Sequence, residues 1–487
     1  ILYCYYYSIM KSNLLDIVIS SGLNFIIPEL NNYQDIPNNV FGLFITLKRS
    51  KYDKLDEWPE DVHGCIGNWN TSFKNMENND IMENITKLSN SATYSDSRNS
   101  HFDTIYQDAH AEYNLTFMLN PIVVIDNKGI LETGTPFNNV DYGIIVEDSN
   151  GNKATYLPDV FPGKSWDYIK KRLLKKANSK ANTKFYAYKT KKYSKKIIEL
   201  FDKEYLTIYK KKFYTVITKY YGDFIPYILE NVGDSVEVLV DKSQYVRNIA
   251  SINDILNLDL DLNDTLKQKI VENLNYYIVK FNKNNRKMRQ ASSFLIIALK
   301  YLDIENSTIS TICDYLYQSI SDLEPKFELG EVLISLCIVC PRIDILLEQQ
   351  EKMLKSLKGE YNIRDIFEYN WHAKYLYTLY KYFKQKVIKN TSFLKHVNLL
   401  LKRLVEMKNN DIDDKIQTNY LAVAFEAFSS LKPLVSGNIL INVDNSLLDL
   451  FTKLSKRNND GVFTWYNKKT ARIDITGHVM NGIDCFL

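Results

Sequence analysis

Apolar and polar positions follow two different periods along this chain, and the change from one to the other divides it. Leu14, Leu15, Val18 and Ile19 recur at helical spacing, and Gly22 stands where a left-handed cap would end that helix. Phe41, Leu43, Ile45 and Leu47 alternate with Gly42, Phe44, Thr46 and Lys48, the period of a strand with one buried face. Residues 80–92 return to helical spacing through Ile81, Ile85 and Leu88, with Asp80 and Glu83 placed as a capping box. Tyr113, Leu115, Phe117 and Leu119 then predict a strand that stops before Pro121. Two short apolar runs, 143–147 and 153–157, flank Asn150 and Gly151, which predicts a hairpin. Ser165 caps a helix lined by Trp166, Ile169 and Leu173, while Lys170, Lys171, Lys175 and Lys176 form its solvated face.

Past Phe201 the strand period nearly vanishes and glycine becomes sparse. Helical patterns cover 291–302, 328–340, 369–386, 392–407, 420–431 and 471–485, joined by short polar breaks. That spacing suits antiparallel helix pairs in a solenoid or an α/α toroid, and no repeat is strict enough to choose between them. The expectation is an α+β domain over residues 12–201, an antiparallel sheet with flanking helices. An all-α helical-array or α/α toroid-like domain follows over 202–487.

Composition narrows the function. A chain of 487 residues exceeds one core, and 45% apolar with 24% charged residues describes an ordinary globular protein. The 61 basic and 58 acidic residues nearly cancel, so no global field recruits nucleic acid or an anionic membrane. The longest strongly apolar run, 332–340, is far too short to span a bilayer. Six scattered cysteines do not make the disulfide framework of a small secreted domain, so a reducing, cytoplasmic setting is expected. Cys337 and Cys340 form a C-x-x-C at the apolar end of a helix halted by Pro341, which reads as packing rather than redox chemistry.

One motif stands out: Val62, His63, Gly64, Cys65, Ile66 and Gly67. It is followed by Asp96, Ser97 and Arg98, then Glu112, then the run from Ala154, Thr155 and Tyr156 through Leu157, Pro158, Asp159 and Val160. Trp166 and the block Phe185, Tyr186, Ala187, Tyr188 complete the series. In this order the blocks resemble the AMMECR domain family over about residues 14–201. The resemblance implies a compact α+β fold and leaves the reaction open. It also implies a ligand site that draws on Asp96, Ser97, Glu112, Thr155 and Tyr156 beside Gly64 and Gly67. The family usually has arginine at the position of His63, and an unbroken Asp-Ser-Arg-Phe where three residues here separate Arg98 from Phe102.

In an extended strand His63 and Cys65 share a face, and the two glycines leave backbone room beside them. A nearby cation makes a thiol a better nucleophile, and imidazolium qualifies when protonated. Three readings follow: catalysis by Cys65 with His63 as base and Arg98 as anion anchor, ligand binding without chemistry, or Cys65 as a packed side chain. His63 and Cys65 lack a second ligand pair at zinc spacing, and His101 and His110 read as loop histidines. No metal or cofactor is expected, since no phosphate loop, dinucleotide fingerprint or hydrolase elbow is present. Near the end, Asp474 and His478 share a helical face with Arg472 close by, short of the two opposed carboxylates a glycosidase needs. The favoured expectation is a ligand-binding or regulatory protein: a small molecule or peptide meets the N-terminal domain and a protein partner meets the helical one. An enzyme using Cys65, His63 and Arg98 is the alternative.

Overall fold

A computed structural model describes residues 13–27, 35–50, 62–97, 108–179, 182–201, 203–258, 260–281, 286–304, 307–324, 327–357, 359–466 and 468–486. The chain divides into two units, Ile1–Leu200 and Phe201–Leu487.

The first unit runs α1 (Asn13–Leu23), β1 (Val40–Lys48), β2 (Val62–Trp69), α2 (Asn78–Tyr94), β3 (Glu112–Ile125), β4 (Gly143–Asp148), β5 (Lys153–Tyr156), α3 (Trp166–Ala177) and β6 (Thr183–Lys196). Its six strands lie in the order β2-β1-β3-β6-β4-β5, every pair antiparallel. The alternation in β1 does what its period predicts: Leu43, Ile45 and Leu47 pair across to Phe117, Leu115 and Tyr113, all buried, and α1 and α2 pack on this region. Further along, α3 sets Ile169 and Leu173 against Ile144, Val146, Phe185 and Ala187. The sheet curls until Lys153 on edge strand β5 reaches the Thr71 carbonyl at 2.7 Å and the Phe73 ring, just beyond edge strand β2.

Local expectations fare unevenly. The hairpin forms, with Gly151 at φ 81° and the Asp148 carboxylate accepting the backbone N–H groups of Asn150 and Asn152. Ser165 caps α3 through a bond from the Tyr168 N–H. Gly22, however, lies inside α1, where its bare Cα faces the Tyr113 hydroxyl and Thr93; the left-handed residue is Asn24, at φ 57°. Asp80 and Glu83 form no capping box, because α2 starts two residues before Asp80 and Glu83 pairs with Lys87 instead. β3 does not stop at Pro121: it resumes to Ile125 across a register shift between Leu119 and Val123, where no ladder bond is asked of the proline.

The second unit carries helices α4 (Lys203–Tyr220), α5 (Tyr245–Leu256), α6 (Asp264–Lys280), α7 (Arg286–Tyr301), α8 (Ser307–Ser319), α9 (Phe327–Val339), α10 (Ile343–Ser356), α11 (Ile366–Val387), α12 (Thr391–Asp411), α13 (Thr418–Leu431), α14 (Gly437–Ser455) and α15 (Ile473–Phe486). The odd-numbered helices from α5 to α15 each pack on the next, and α15 packs back on α5, so they close a ring. The even-numbered helices from α6 to α14 lie outside it, against neighbours in sequence, while α4 packs on α15. This is an α/α toroid. Inner α13 is buried on all sides, as a helix must be when it is sandwiched between a ring axis and an outer layer.

Short strands interrupt the expected all-α region. β7 (Ile228–Glu230), β8 (Glu237–Leu239) and β11 (Ala471–Arg472) form one small sheet; β9 (Asn458–Asn459) and β10 (Val462–Phe463) form another. Residues 471 and 472, expected in the last helix, therefore pair with Leu229 and Ile228 before it begins. The cysteines hold a second correction. Cys337 is buried as expected, but Cys340 is bonded to Cys313, because α8 and α9 bring the two Cα atoms to 6.7 Å. Among the described residues no helix is long and apolar enough to cross a membrane.

Candidate functional sites

In the first unit the motif occupies β2. Thr46 on β1 stands opposite Cys65, and its hydroxyl donates to Sγ at 3.1 Å. The Cys65 backbone N–H donates to the buried Asp96 carboxylate at 2.9 Å, which ties the strand to the end of α2. His63 sits at a register shift: Val62 faces Lys48 and Gly64 faces Leu47, so His63 is the extra residue of a bulge. Simple alternation thus fails as an argument for where His63 and Cys65 point. His63 is buried, Arg49 donates to its Nδ1 from Nε and Nη2 at 3.2 and 3.1 Å, and its Nε2 lies 3.1 Å from the Thr93 carbonyl.

The room beside the two glycines is already taken. A Cβ at Gly64 would strike the Ala92 carbonyl of α2, and one at Gly67 would strike the Phe44 ring. These glycines let β2 approach its neighbours closely. Thr155 is buried on β5, donating to the Ile144 carbonyl and sharing a hydrogen bond with the Tyr188 hydroxyl, both at 2.8 Å. Burial pushes the Tyr188 phenol up, against the hydrogen bond with Thr155. Tyr156 packs edge-on against Phe161 beneath the Lys176 ammonium. Glu112 is half-buried, opposite Lys48 and Lys196, and Ser97 is exposed. Arg98 and His101 lie outside the described residues.

The second unit holds the feature that motif reading passed over. A cavity of about 580 Å³ lies on the ring axis, and all six inner helices line it. Trp371, Phe294 and Phe367 supply apolar wall; Asp254, Glu331, Glu368, Lys374 and His478 supply ionisable groups. At the rim Arg472 forks onto Asp474, Arg247 approaches the same carboxylate at 3.8 Å, and both guanidinium groups lie over the Tyr227 ring.

Beneath the cavity Glu426 is fully buried. It meets Lys374 Nζ and His478 Nδ1, each at 2.7 Å, and accepts from the Asn370 amide at 2.5 Å. Burial alone would raise its pKa, but Lys374 and His478 overcome it and hold the carboxyl at about 2. The same pairing outweighs burial on the other side and raises His478. Asp254 goes the other way: burial raises it to about 6, though Lys374 and His478 pull against that, and it accepts from the Asn481 amide at 2.7 Å. Burial lifts Glu331 to about 8, against a hydrogen bond with Gln290, and its Oε2 has no hydrogen-bond partner among the described residues. Carboxyl groups whose environments push them this far apart let one cavity hold a proton donor and a proton acceptor at the same pH.

The family model described as AMMECR1 matches residues 21–201. The N-terminal part of the chain is an AMMECR1 domain. The motif around Cys65, the hairpin with Thr155 and the strand with Tyr188 all fall within that AMMECR1 domain, and the axial cavity falls outside it. No curated protein matches the chain. Among solved structures, an unsaturated glucuronyl hydrolase specific for heparin is similar at TM-score 0.40 and 11% identity, covering 58% of this chain and 97% of that one. The unsaturated glucuronyl hydrolase from Streptococcus agalactiae is similar at TM-score 0.41 and 9% identity, covering 58% and 90%. Likeness at this level says nothing about substrate.

Proposed function

We propose that this is a ligand-binding protein in which the helical unit holds the principal site, a cavity for a small polar molecule, and the AMMECR1 domain serves as a second recognition module. The observation that supports this is the buried array of Lys374, Glu426, His478 and Asp254 under an open axial cavity. Placing several charges out of water costs several kcal/mol per ion and contributes little to folding. An arrangement that carries this cost at the base of a cavity is best explained by what the cavity holds. Its wall pairs an aromatic surface with donors and acceptors of both signs, which suits a molecule with one apolar face and several hydroxyl, amino or carboxylate groups. We also read the two units as separately folding domains, and we read the protein partner proposed for the helical unit as meeting its outer helices.

The test is a thermal-shift panel of sugars, amino acids and nucleosides on the full chain, with Trp371→Ala beside the wild type. At least one chemical class should stabilise the wild type and not the variant. Equal shifts in both, or none in either, would remove the cavity from the reading.

A second reading keeps Cys65 as a nucleophile. The Thr46 hydroxyl donating to Sγ favours it, because donation to the charged form stabilises a thiolate. The base in that reading is not well placed in His63: a proton taken at Nδ1 would set an N–H against the Arg49 guanidinium.

A further inference from the structure

A chain of hydrogen-bonding groups stands behind one wall of the axial cavity. Glu368, in the first turn of α11, lines the cavity. One turn on, His372 is fully buried, with its Nε2 3.6 Å from the Glu368 carboxylate and, among the described residues, without a hydrogen-bond partner. Its Nδ1 lies 3.0 Å from Nε2 of His396 on α12, also fully buried. His396 Nδ1 in turn lies 2.9 Å from Nε2 of buried Gln350 on α10. The chain therefore runs radially, from the cavity through an inner helix into two outer ones.

Its direction follows from the buried end. The Gln350 amide nitrogen can only donate, so His396 Nδ1 accepts and His396 carries its proton on Nε2. That N–H donates to His372 Nδ1, which leaves the His372 proton on Nε2, facing Glu368. At the cavity end that N–H faces the Glu368 carboxylate, an acceptor. The buried amide thus selects one tautomer of the pair. An extra proton on either ring would set two N–H groups against each other, and burial followed by His372 holds His396 well below its usual range. The pair points one way.

We propose that Gln350, His396 and His372 form a one-way hydrogen-bond chain that positions Glu368 as the proton-accepting wall of the cavity, so that a ligand meets it with a hydroxyl or ammonium donor. The proposal rests on the reading of the cavity as the ligand site. At 3.6 Å the last link is longer than a hydrogen bond, and a small swing of the carboxylate closes it. His372 acts through Glu368 and is a positioning residue; Glu368 is the group the ligand touches.

The test uses imidazole-¹⁵N-labelled full-length protein at neutral pH, with the two signals assigned from His372→Gln and His396→Gln. Both histidines should show the Nε2–H tautomer. Gln350→Glu replaces the donor at the buried end with an acceptor and should switch both rings to Nδ1–H, including the one at the cavity. If Gln350→Glu fails to fold, Gln350→Leu should still move both signals by removing the donor. Histidines in opposite tautomers, or a His372 signal indifferent to both substitutions, would overturn the chain. Ethylene glycol and methylammonium serve as hydroxyl and ammonium probes: either should shift the His372 Nε2 signal in the wild type and not in Glu368→Leu. No shift with either probe would overturn the ligand half. These outcomes are independent of the Trp371→Ala panel, which judges the binding reading by itself.

Discussion

Arg49 donates to His63 through two nitrogens of its guanidinium, so the histidine accepts at Nδ1 and offers its Nε2 proton to the Thr93 carbonyl. The cation beside the β2 motif is thus Arg49, at the end of β1, and His63 is its neutral acceptor. His63→Arg would set two guanidinium groups together in a buried bulge. The expected loss is about 2 to 4 kcal/mol, read as a lower midpoint in denaturant, and His63→Gln should cost less because its amide oxygen still accepts. A His63→Arg protein as stable as the wild type would show that the Arg49 contact is incidental.

Lys374 is the main counter-charge of Glu426. Lys374→Met should destabilise the helical unit by about 3 to 5 kcal/mol, since removing one partner leaves a buried charge underpaid by His478 alone. Adding Glu426→Gln should recover part of that loss. A double variant no more stable than the single one would mean that the side-chain volume of Lys374, rather than its charge, matters.

Stability should depend on pH through Glu331. Its folded pKa, about 8, lies above its ordinary value of 4.5, so the protonated form is favoured by folding. The contribution is complete below about 4.5 and is lost as pH rises through about 8, amounting to several kcal/mol. Asp254, raised to about 6, works in the same direction over a lower window. Glu426 has the opposite sign, with stability present above its ordinary value and lost as pH falls toward 2. Glu331→Gln should flatten the decline between pH 5 and 8 in chemical denaturation. An unchanged slope would show that Glu331 ionises as readily as an exposed acid.

Phe201 packs edge-on against Phe451 in the helical unit. A fragment that starts at Phe201 should therefore be more stable than one that starts two residues later, and Phe201→Ala should cost the helical unit about 3 kcal/mol. An N-terminal fragment ending at Leu200 should keep its own melting transition. If it is unfolded by circular dichroism, the two units are not separate folding domains.

What could be read in the chain followed from the range of the interactions involved. β1, the hairpin at Gly151 and the Ser165 cap depend on neighbours a few residues apart, and local pattern was enough. Gly22 and Gly64 were misread because their reason is a distant contact, Tyr113 for one and Ala92 for the other. Several helices went unpredicted, among them inner α5 and outer α10 and α14, whose buried faces carry polar residues such as Asn248, Gln350 and Asp449 that break the apolar stripe. The axial cavity was invisible for a related reason. Its residues come from six helices, and no two helices contribute a spaced motif; only Asp474 with His478 left a local trace.

Because α15 packs on α5 as well as α13, and β11 before it pairs with β7, the toroid joins the two ends of its own sequence. Such a ring cannot be completed until the last helix has left the ribosome, more than two hundred residues after the first member of the pair. All six strands of the α+β sheet, by contrast, lie before that stretch. During synthesis the nascent helical unit is an open crescent with one inner face uncovered at each tip, and any truncation that removes α15 makes that transient state permanent. Loss of the final helix should therefore produce aggregation rather than a smaller folded protein.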